Sequence, residues 1–389
     1  MARNATLAVF AVNGFTLASW MSRVPDVKAM LHLSPGRLAV LLLAISIGSV
    51  LGLPLAGRLT HHVGAATAVR IGALISLPGG ALAGVLVQVN APLAAVAIGL
   101  FLLGLGNGLW DVAQNLEGSI VERGIGRAIM PWFHAAFSLG TVAGAGVGAL
   151  LTLVRVPVGV HIGVAAGLGL VVIAWVTRDF VPAMADDEPV VVKARSAWLE
   201  PRTLLIGVMV LAAAFTEGSA NDWMAVAFVD GHHAAKALGV VALAVFLTFM
   251  TLGRILGTHL LDTYGRVVVL RCLFSAAIVG CVLVVFGWTW LAYVGAAVWG
   301  VGASLGFPVG MSAASDDPSR AALRLSVVST IGYGAFLAGP PLLGFLGDHF
   351  GVLHSLLTVG AVSILATVVV PVARPLSSHK EMPAVGSPR

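Results

Sequence analysis

Twelve long apolar segments, separated by short polar turns, form the hydrophobic pattern of this chain. An α-helix needs about 20 mostly apolar residues to cross roughly 30 Å of hydrocarbon, and each segment is near that length. The segments are apolar nearly all round, whereas the outer helices of a soluble bundle would carry polar faces. The pattern therefore predicts an all-α membrane protein with twelve transmembrane helices. The predicted spans are 5–31, 37–60, 66–88, 92–119, 130–154, 159–177, 203–229, 237–261, 267–287, 289–313, 325–347 and 353–373.

The second half of the chain repeats the first at an offset of 201 residues. The repeat is clearest in the polar turn after the second span of each half, where Leu59, His61, Gly64 and Arg70 align with Leu260, Asp262, Gly265 and Arg271. Duplicated membrane halves are typical of secondary transporters, in which two similar bundles move around a site between them. The sequence thus predicts two pseudosymmetric six-helix bundles, residues 1–177 and 203–374. A polar cytoplasmic linker, 178–202, joins them, and the Pro- and Ser-rich tail, 375–389, is predicted to be disordered.

Composition agrees with a membrane protein, because 58% of the residues are hydrophobic and 10% are charged, against roughly 25% charged in soluble domains. With a cytoplasmic N-terminus, 17 of the 22 Lys and Arg residues lie on the cytoplasmic side, and the exceptions are Arg23, Lys28, Arg37, Arg155 and Lys236. The positive-inside rule then predicts a multi-pass protein of the cell (inner) membrane with both termini in the cytoplasm. The first span lacks a cleavage pattern, so it is expected to stay as an anchor. The net charge of +5 is assigned to loops next to the membrane, and no nucleic-acid partner is expected.

The turn from Gly57 to Gly64 reads G-R-L-T-H-H-V-G. Together with the duplicated layout, it resembles the major facilitator superfamily and its loop motif G-x-L-x-D-R-x-G between spans two and three. His61 stands where that family usually has Asp, while the second copy keeps an acid at Asp262. In the family this turn braces the cytoplasmic helix ends when the carrier faces outward. The resemblance therefore implies gating roles for His61, Asp262 and Arg254, with a first-half brace that is weaker or pH-dependent.

Polar residues inside apolar spans are costly and point to a site. On the fourth span Asn107, Asp111, Gln114 and Asn115 share one stripe within about 100° of the helix circumference. Asp111 followed by Asn115 resembles the acid-plus-Asn arrangement of the fucose/proton symporter branch, where the acid belongs to the proton-coupling machinery. The first-span acid of that branch has no counterpart in the stretch 18–23, so fucose itself is not predicted as the substrate.

Three residues are the predicted proton-coupling groups: Asp111, Glu217 and His134. A carboxyl group buried in a membrane favours its neutral form and can exchange protons near neutral pH. Each residue also has a structural alternative. Asp111 could be a carboxylate held by helix-end donors or by His134, Glu217 could form an interhelix ion pair with no transport role, and His134 could be a packing residue.

Spans 1 and 7 carry looser polar stripes, in which Arg23 and Asp222 occupy the outer parts of helices related by pseudosymmetry. These two residues are predicted to form an ion pair that closes an outer gate.

Amides and aromatic faces suit a neutral hydroxylated solute such as a sugar, whereas an anionic solute would need a central basic residue, for which Arg23 is the only candidate. The predicted substrate contacts are Asn13, Thr16, Trp20, Asn107, Gln114, Asn115, Asn221, Trp299 and Phe307.

The sequence is compatible with three functions. The first is a proton-coupled symporter for a small neutral solute, the second a proton-driven exporter of drugs or metabolites, and the third a membrane receptor or scaffold. The chain has no P-loop, no metal-binding cluster and no nucleophile elbow, so ATP, metal and enzyme chemistry are not expected. The expected partners are a small-molecule substrate, protons and the lipid bilayer, and the chain is predicted to act as a monomer without a cofactor.

Overall fold

Helices follow one another with short turns throughout the computed structural model, which describes residues 1–126, 129–181, 194–317 and 320–375. The first half contains α1 (Ala2–Met21), α2 (Val24–Met30), α3 (Pro35–Gln88), α4 (Leu93–Ile125), α5 (Met130–Leu153) and α6 (Val158–Val176). The second half contains α7 (Pro201–Gly231), α8 (Lys236–Phe286), α9 (Thr289–Ala303), α10 (Gly306–Ala314), α11 (Ala321–Phe350), α12 (Val352–Ser355) and α13 (Leu357–Val369). Short 3-10 turns at Thr177–Asp179, Ala194–Leu199 and Val370–Ala373 complete the described chain.

The two longest helices each contain two membrane spans. Helix α3 has 54 residues, about 80 Å at 1.5 Å per residue, which is far more than one bilayer crossing needs. It is interrupted at Gly64, where φ is 78° and ψ is 161°. Helix α8 is interrupted in the same way at Gly265, with φ 74° and ψ 163°. Both conformations have the positive φ that glycine adopts without strain, so each glycine reverses the chain between two spans.

Eleven helical stretches of the described chain are long and apolar enough to cross a membrane. One of them, Pro35–Gln88, is counted as a single stretch although Gly64 interrupts it. Division of that stretch at Gly64 brings the number of spans to twelve, as the hydrophobic pattern predicted. Helices α1 and α2 together form span 1, and α9 and α10 form span 10, which is broken near Ser304. The predicted all-α fold with twelve spans is confirmed.

The sequence repeat is also a repeat of backbone geometry. Gly64 and Gly265, which are 201 residues apart, have nearly the same φ and ψ angles. The turns after the first span of each half agree as well, since His32 has φ 47° and His233, at the same offset, has φ 56°. The two halves are therefore pseudosymmetric six-helix bundles. Much of the linker and the tail, residues 182–193 and 376–389, lies outside the described residues, so their predicted structure stays a prediction.

Small residues allow helices of one bundle to touch through their backbones. A Cβ atom on Gly14 of α1 would collide with the carbonyl of Phe137 on α5, and one on Gly140 of α5 would collide with the carbonyl of Ala11 on α1. Lipid offers no hydrophobic drive for helix association, so close backbone approach through glycine supplies van der Waals contact instead. This packing sets the rotation of α1 and α5, and with it the direction in which their polar residues point.

Two ion pairs join the halves at one face of the molecule. We call the face that carries the 31–35 and 231–236 turns the distal face, and the opposite one the N-terminal face. At the distal face Lys28 Nζ lies 2.8 Å from Asp230 Oδ2, and Lys236 Nζ lies 3.0 Å from Asp26 Oδ1. We call these two contacts the distal ion pairs. At the N-terminal face, the ion pairs of the described residues lie within the second half and centre on Glu200 and Asp316.

Candidate functional site

A charged cluster lies where α7, α8 and α5 meet between the two halves. Arg254 on α8 donates through one terminal nitrogen to both carboxylate oxygens of Glu217 on α7, at 2.8 and 3.0 Å. Its other terminal nitrogen donates to Ser138 Oγ on α5 of the first half, at 3.3 Å. The side chains of Arg254 and Glu217 are 24% and 21% exposed, so the pair is accessible from the space between the bundles.

The break in span 10 supplies a further partner for this arginine. Helix α9 ends at Ala303 and α10 begins at Gly306, and the last carbonyls of a helix have no partner inside it. The carbonyl of Ser304 accepts from Arg254 Nε at 3.2 Å. The fixed fork of a guanidinium group can serve all three partners at once. Arg254 therefore joins the middle of α7, the break in span 10 and the first half of the molecule.

This position of Arg254 corrects two expectations from the sequence. The sequence predicts Arg254 among the loops and helix ends of the cytoplasmic side, but it lies inside α8, eleven residues before the turn at Gly265, and its gating role stays a prediction. Arg23 is accordingly not the only basic candidate near the centre. A charge inside the predicted span 237–261 was the available signal, because a buried arginine needs a partner in a neighbouring helix. Its pairing with Glu217 was not readable, since the two residues are 37 positions apart.

The polar stripe of α4 is present and is held together internally. Gln114 Nε2 donates to Asp111 Oδ1 at 3.1 Å, while Asn115 Nδ2 donates to the same oxygen at 3.3 Å and to the Asp111 carbonyl at 2.8 Å. Two amides therefore hold the carboxyl group of Asp111, rather than helix-end donors or His134. Tyr333, on α11 of the other half, is close enough to interact electrostatically with Asp111. Asn107 lies one turn away, partly exposed and without a hydrogen bond to a described residue.

His134 lies apart from the α4 stripe. Its ring is exposed, packs edge-on against Phe10 with centroids 5.4 Å apart, and is near enough to interact electrostatically with Arg254. The predicted contact of His134 with Asp111 is not formed among the described residues.

Several predicted substrate contacts are enclosed by protein in this conformation. Trp299 is completely buried, and its indole N–H donates to the Thr216 carbonyl at 3.2 Å, which holds α9 against α7. Asn13 and Trp20 are buried inside the first bundle, and Thr16 donates to the carbonyl of its own helix at Val12, at 2.9 Å. Asn13, Trp20 and Trp299 cannot touch a solute in this state because protein encloses them, whereas Thr16 stays partly exposed.

Two other predicted contacts stay partly exposed. Phe307 of α10 lies beside Gly332 of α11, and Asn221 of α7 has a side-chain oxygen without a hydrogen-bond partner among the described residues. Together with Asn107 and Asn115, they remain candidates for substrate contact, whereas Gln114 is fully buried in this conformation.

The predicted ion pair between Arg23 and Asp222 is not formed. Arg23 is buried, donates from Nε to His161 Nδ1 at 2.8 Å and lies 3.0 Å from Asp26 Oδ2. Because α2 begins directly after Arg23, Asp26 falls in its first turn, three residues away, and becomes the local partner. Asp26 in turn contacts Lys236 of the second half. Arg23 therefore pairs with Asp26 and not with Asp222, and the ion pair that reaches the other half runs from Asp26 to Lys236.

The other two predicted gating residues lie at the N-terminal face. His61 and Asp262 are both exposed, and neither forms an ion pair with another described residue. His61 makes an edge-on contact with His62, with ring centroids 5.3 Å apart. The two copies of the turn at Gly64 and Gly265 are thus alike in backbone and unlike in charge.

In the described part of the chain, no group of three His, Cys, Asp or Glu residues could hold a metal ion.

Sequence comparison places this geometry among transporters. A family model described as Major Facilitator Superfamily matches two overlapping stretches, residues 6–318 and 223–389. An uncharacterised transporter of Sinorhizobium fredii, y4wD, is 32% identical over 373 residues, which cover 94% of this chain and 97% of the relative. An uncharacterised MFS-type transporter of Yersinia pestis is 33% identical over 376 residues, covering 95% of this chain and 94% of the relative.

Solved structures share the fold at low sequence identity. A mutant of the nucleoside transporter NupG superposes with a TM-score of 0.76 at 15% identity, covering 94% of this chain and 98% of that chain. A mutant of the E. coli fucose:proton symporter FucP superposes with a TM-score of 0.64 at 14% identity, with the same coverage of 94% and 98%. At such identities the likeness concerns the arrangement of helices and not the site.

Proposed function

This chain belongs to the major facilitator superfamily, and from that premise we propose that it is a secondary active transporter which couples protons to the movement of a small neutral hydroxylated solute. The observation that carries the proposal is the Glu217–Arg254 ion pair. It lies halfway along α7, is partly exposed between the bundles, and touches the other half through Ser138.

The distal ion pairs support alternating access. They join the two halves at the distal face, while the ion pairs described at the N-terminal face stay within the second half. With the predicted cytoplasmic termini, this is a conformation closed to the outside. Transport to the other side then requires the distal ion pairs to separate and the bundles to meet at the N-terminal face.

Proton coupling follows from the chemistry of the charged cluster. A charge inside a membrane needs a partner, and Glu217 has one in Arg254. Protonation of Glu217 would remove that charge and release Arg254 from one of its three contacts. Since Arg254 also donates to Ser138 of the first half, a proton on Glu217 would change a contact between the bundles. Asp111 is the second proton-coupling candidate, and His134, which is near enough to interact electrostatically with Arg254, is the third.

The polar groups around the centre favour a neutral solute. Asn107 and Asn115 offer amides on one side, and Tyr333 offers a hydroxyl from the opposite half. The positive charge of Arg254 is compensated by Glu217, so the centre has little net attraction for an anion. Two structural neighbours are a nucleoside transporter and a fucose:proton symporter. Both kinds of solute are hydroxylated, in keeping with the amide-lined site proposed for this chain.

Transport assays in proteoliposomes test this proposal. We expect counterflow of at least one member of a panel of sugars, nucleosides, organic acids and drugs, and accumulation of that solute when a pH gradient is imposed. Asp111→Asn should keep counterflow and lose gradient-driven accumulation, because solute binding survives without the coupling acid. The matched control is Asp179→Asn, an acid-to-amide change at an exposed residue of the 3-10 turn Thr177–Asp179, which forms no ion pair with another described residue.

The outcomes separate the open alternatives. Accumulation that is unchanged in Asp111→Asn would refute the coupling role of this residue. A solute that the pH gradient drives in the opposite direction would favour the exporter. Absence of counterflow for every member of the panel would contradict a transporter of small hydroxylated solutes.

A further inference from the structure

A small cavity lies between α7 and α11 in the distal part of the second bundle. Its lining includes Asp222 and Ser219 from α7 and Phe336 and Pro340 from α11, besides apolar residues. The cavity volume is about 10 Å³, which is close to the space that a single water molecule or small ion occupies. It lies on a different face of α7 from Glu217, because five residues turn the helix by about 140°.

Two side chains that point to a ligand line this cavity. Asp222 has no hydrogen bond or ion pair with another described residue. Ser219 is 4% exposed, and its hydroxyl also lacks a partner among the residues that the structure describes. Residues three positions apart lie on the same face of a helix, so both oxygens are presented to the same space.

Helix α11 adds backbone oxygens at the same level. Pro340 and Pro341 lie inside this helix and have no N–H groups. The carbonyls of Phe336 and Leu337, four residues earlier, therefore lack their usual helical donors. A helix carbonyl points towards the residue four positions later, so the Phe336 carbonyl faces Pro340, which lines the cavity, while the Phe336 ring faces Gly218 of α7. The cavity thus has a carboxylate and a hydroxyl in its lining, and beside it a carbonyl without its usual helical donor.

This set of groups calls for a cation. An uncompensated carboxylate inside a membrane is costly, and unpaired acceptors in a low-dielectric site need a positive partner. A proton on Asp222 could serve only one acceptor, whereas a hard cation binds several oxygens at once. With a single carboxylate in the lining, a monovalent ion is compensated and a divalent ion is not. We propose that the cavity is a Na⁺ site formed by Asp222, Ser219 and the carbonyl oxygen of Phe336.

Bound Na⁺ would hold α7 against α11 beside the distal closure. The site is separate from the proton-coupling residues proposed above, so its test does not depend on transport. The full chain in detergent is unfolded thermally while NaCl is replaced by choline chloride or KCl at constant ionic strength, at pH 6 and at pH 8. We expect Na⁺ to raise the unfolding temperature, since a ligand that binds only the folded state stabilises it, and KCl and choline chloride to lack this effect.

Two variants and a control locate the effect. Asp222→Asn should lose the response to Na⁺, and Ser219→Ala should shift it to higher Na⁺ concentration, while Asp262→Asn at the N-terminal face should respond as the wild type does. Binding of radioactive sodium to the purified chain gives a second readout, which remains usable if one variant is unstable. An equal response in Asp222→Asn would overturn the proposal. So would a wild-type chain whose stability changes with pH and not with Na⁺, which would mean that Asp222 takes up only a proton.

Discussion

Asp26 of the first half accepts a hydrogen bond from Lys236 of the second half at 3.0 Å, while its other oxygen lies 3.0 Å from Arg23. One carboxylate therefore connects a cation of its own bundle with a cation of the other bundle. The Arg23 side chain is 2% exposed and that of Lys236 is 40% exposed. The contact of Asp26 with its own bundle is therefore buried, and its contact with the other bundle is accessible.

Loss of this carboxylate should favour opening of the distal face. In Asp26→Asn the contact with Lys236 loses its charge, and an exposed ion pair contributes about 0.2–1 kcal/mol, which corresponds to at most a roughly fivefold change in population. We expect spin labels on the two halves at the distal face to report more of the longer distance. Lys236→Met removes the same contact and leaves the Arg23–Asp26 pair intact, so it should shift the distance distribution in the same direction. A distance distribution identical to that of the wild type in Asp26→Asn would contradict a closing role.

His161 should stabilise the fold through Arg23. It accepts from the buried Arg23 Nε at 2.8 Å, and a hydrogen bond to a charged group contributes about 1.5–3 kcal/mol. His161→Ala leaves that donor without a partner, so we expect a lower unfolding temperature in detergent. His62→Ala, which removes an exposed histidine ring, serves as the control and should change the temperature little. Equal unfolding temperatures for the two variants would count against the buried bond.

The Glu217–Arg254 pair should show coupling between its members. Replacement of one partner leaves a charge in the membrane without compensation, whereas replacement of both leaves none. We therefore expect Glu217→Gln and Arg254→Gln each to lower the unfolding temperature, and the double variant to lose less than the sum of the two single losses. Thermal unfolding of all four proteins completes the double-mutant cycle. Strictly additive losses would mean that the ion pair contributes no coupling.

Glu200 should make the N-terminal face sensitive to acid. Partial burial tends to raise the pKa of Glu200, but hydrogen bonds from Arg324 and Thr203, together with the charges of Arg324 and Arg320, outweigh it and lower the pKa. A carboxyl group with a lowered pKa in the folded state stabilises the fold above its unfolded pKa, about 4.3. That contribution is lost as the pH falls through the lower folded value.

The measurement is an unfolding series between about pH 7 and pH 3. We expect the wild type to lose stability on the acid side more steeply than Glu200→Gln, which has no carboxyl group to protonate. The two proteins should show parallel curves above about pH 5, where Glu200 stays ionised in both states. A variant that follows the wild-type curve down to pH 3 would show that this carboxylate is not linked to folding.

The spans and their duplication could be read from the chain because lipid makes them local properties. A helix that satisfies its own backbone must supply about 20 apolar residues, whatever its neighbours are. The turn at Gly64 recurs at Gly265 with the same backbone angles, since only glycine adopts that conformation without strain. The stripe of Asp111, Gln114 and Asn115 was readable for the same reason, as its hydrogen bonds are made within one helical turn.

The partners of buried charges were not readable. Arg254 finds Glu217 and Ser138, which are 37 and 116 positions away, and Arg23 finds His161, 138 positions away. The sequence suggested Asp222 for Arg23, because the two are related by pseudosymmetry. Arg23 pairs with Asp26 instead, because Asp26 lies only three residues away, in the first turn of α2.

By itself, the amino-acid sequence determined the twelve spans, the two related bundles and the family resemblance, because each depends on composition and spacing within short segments. Only the tertiary structure decided how each helix is rotated about its axis. That rotation enclosed Trp299, exposed Glu217 and Arg254, and turned Asp222 towards α11. The physical reason is that helices in lipid are oriented by close packing and by the few polar partners they can reach, and neither can be evaluated one helix at a time.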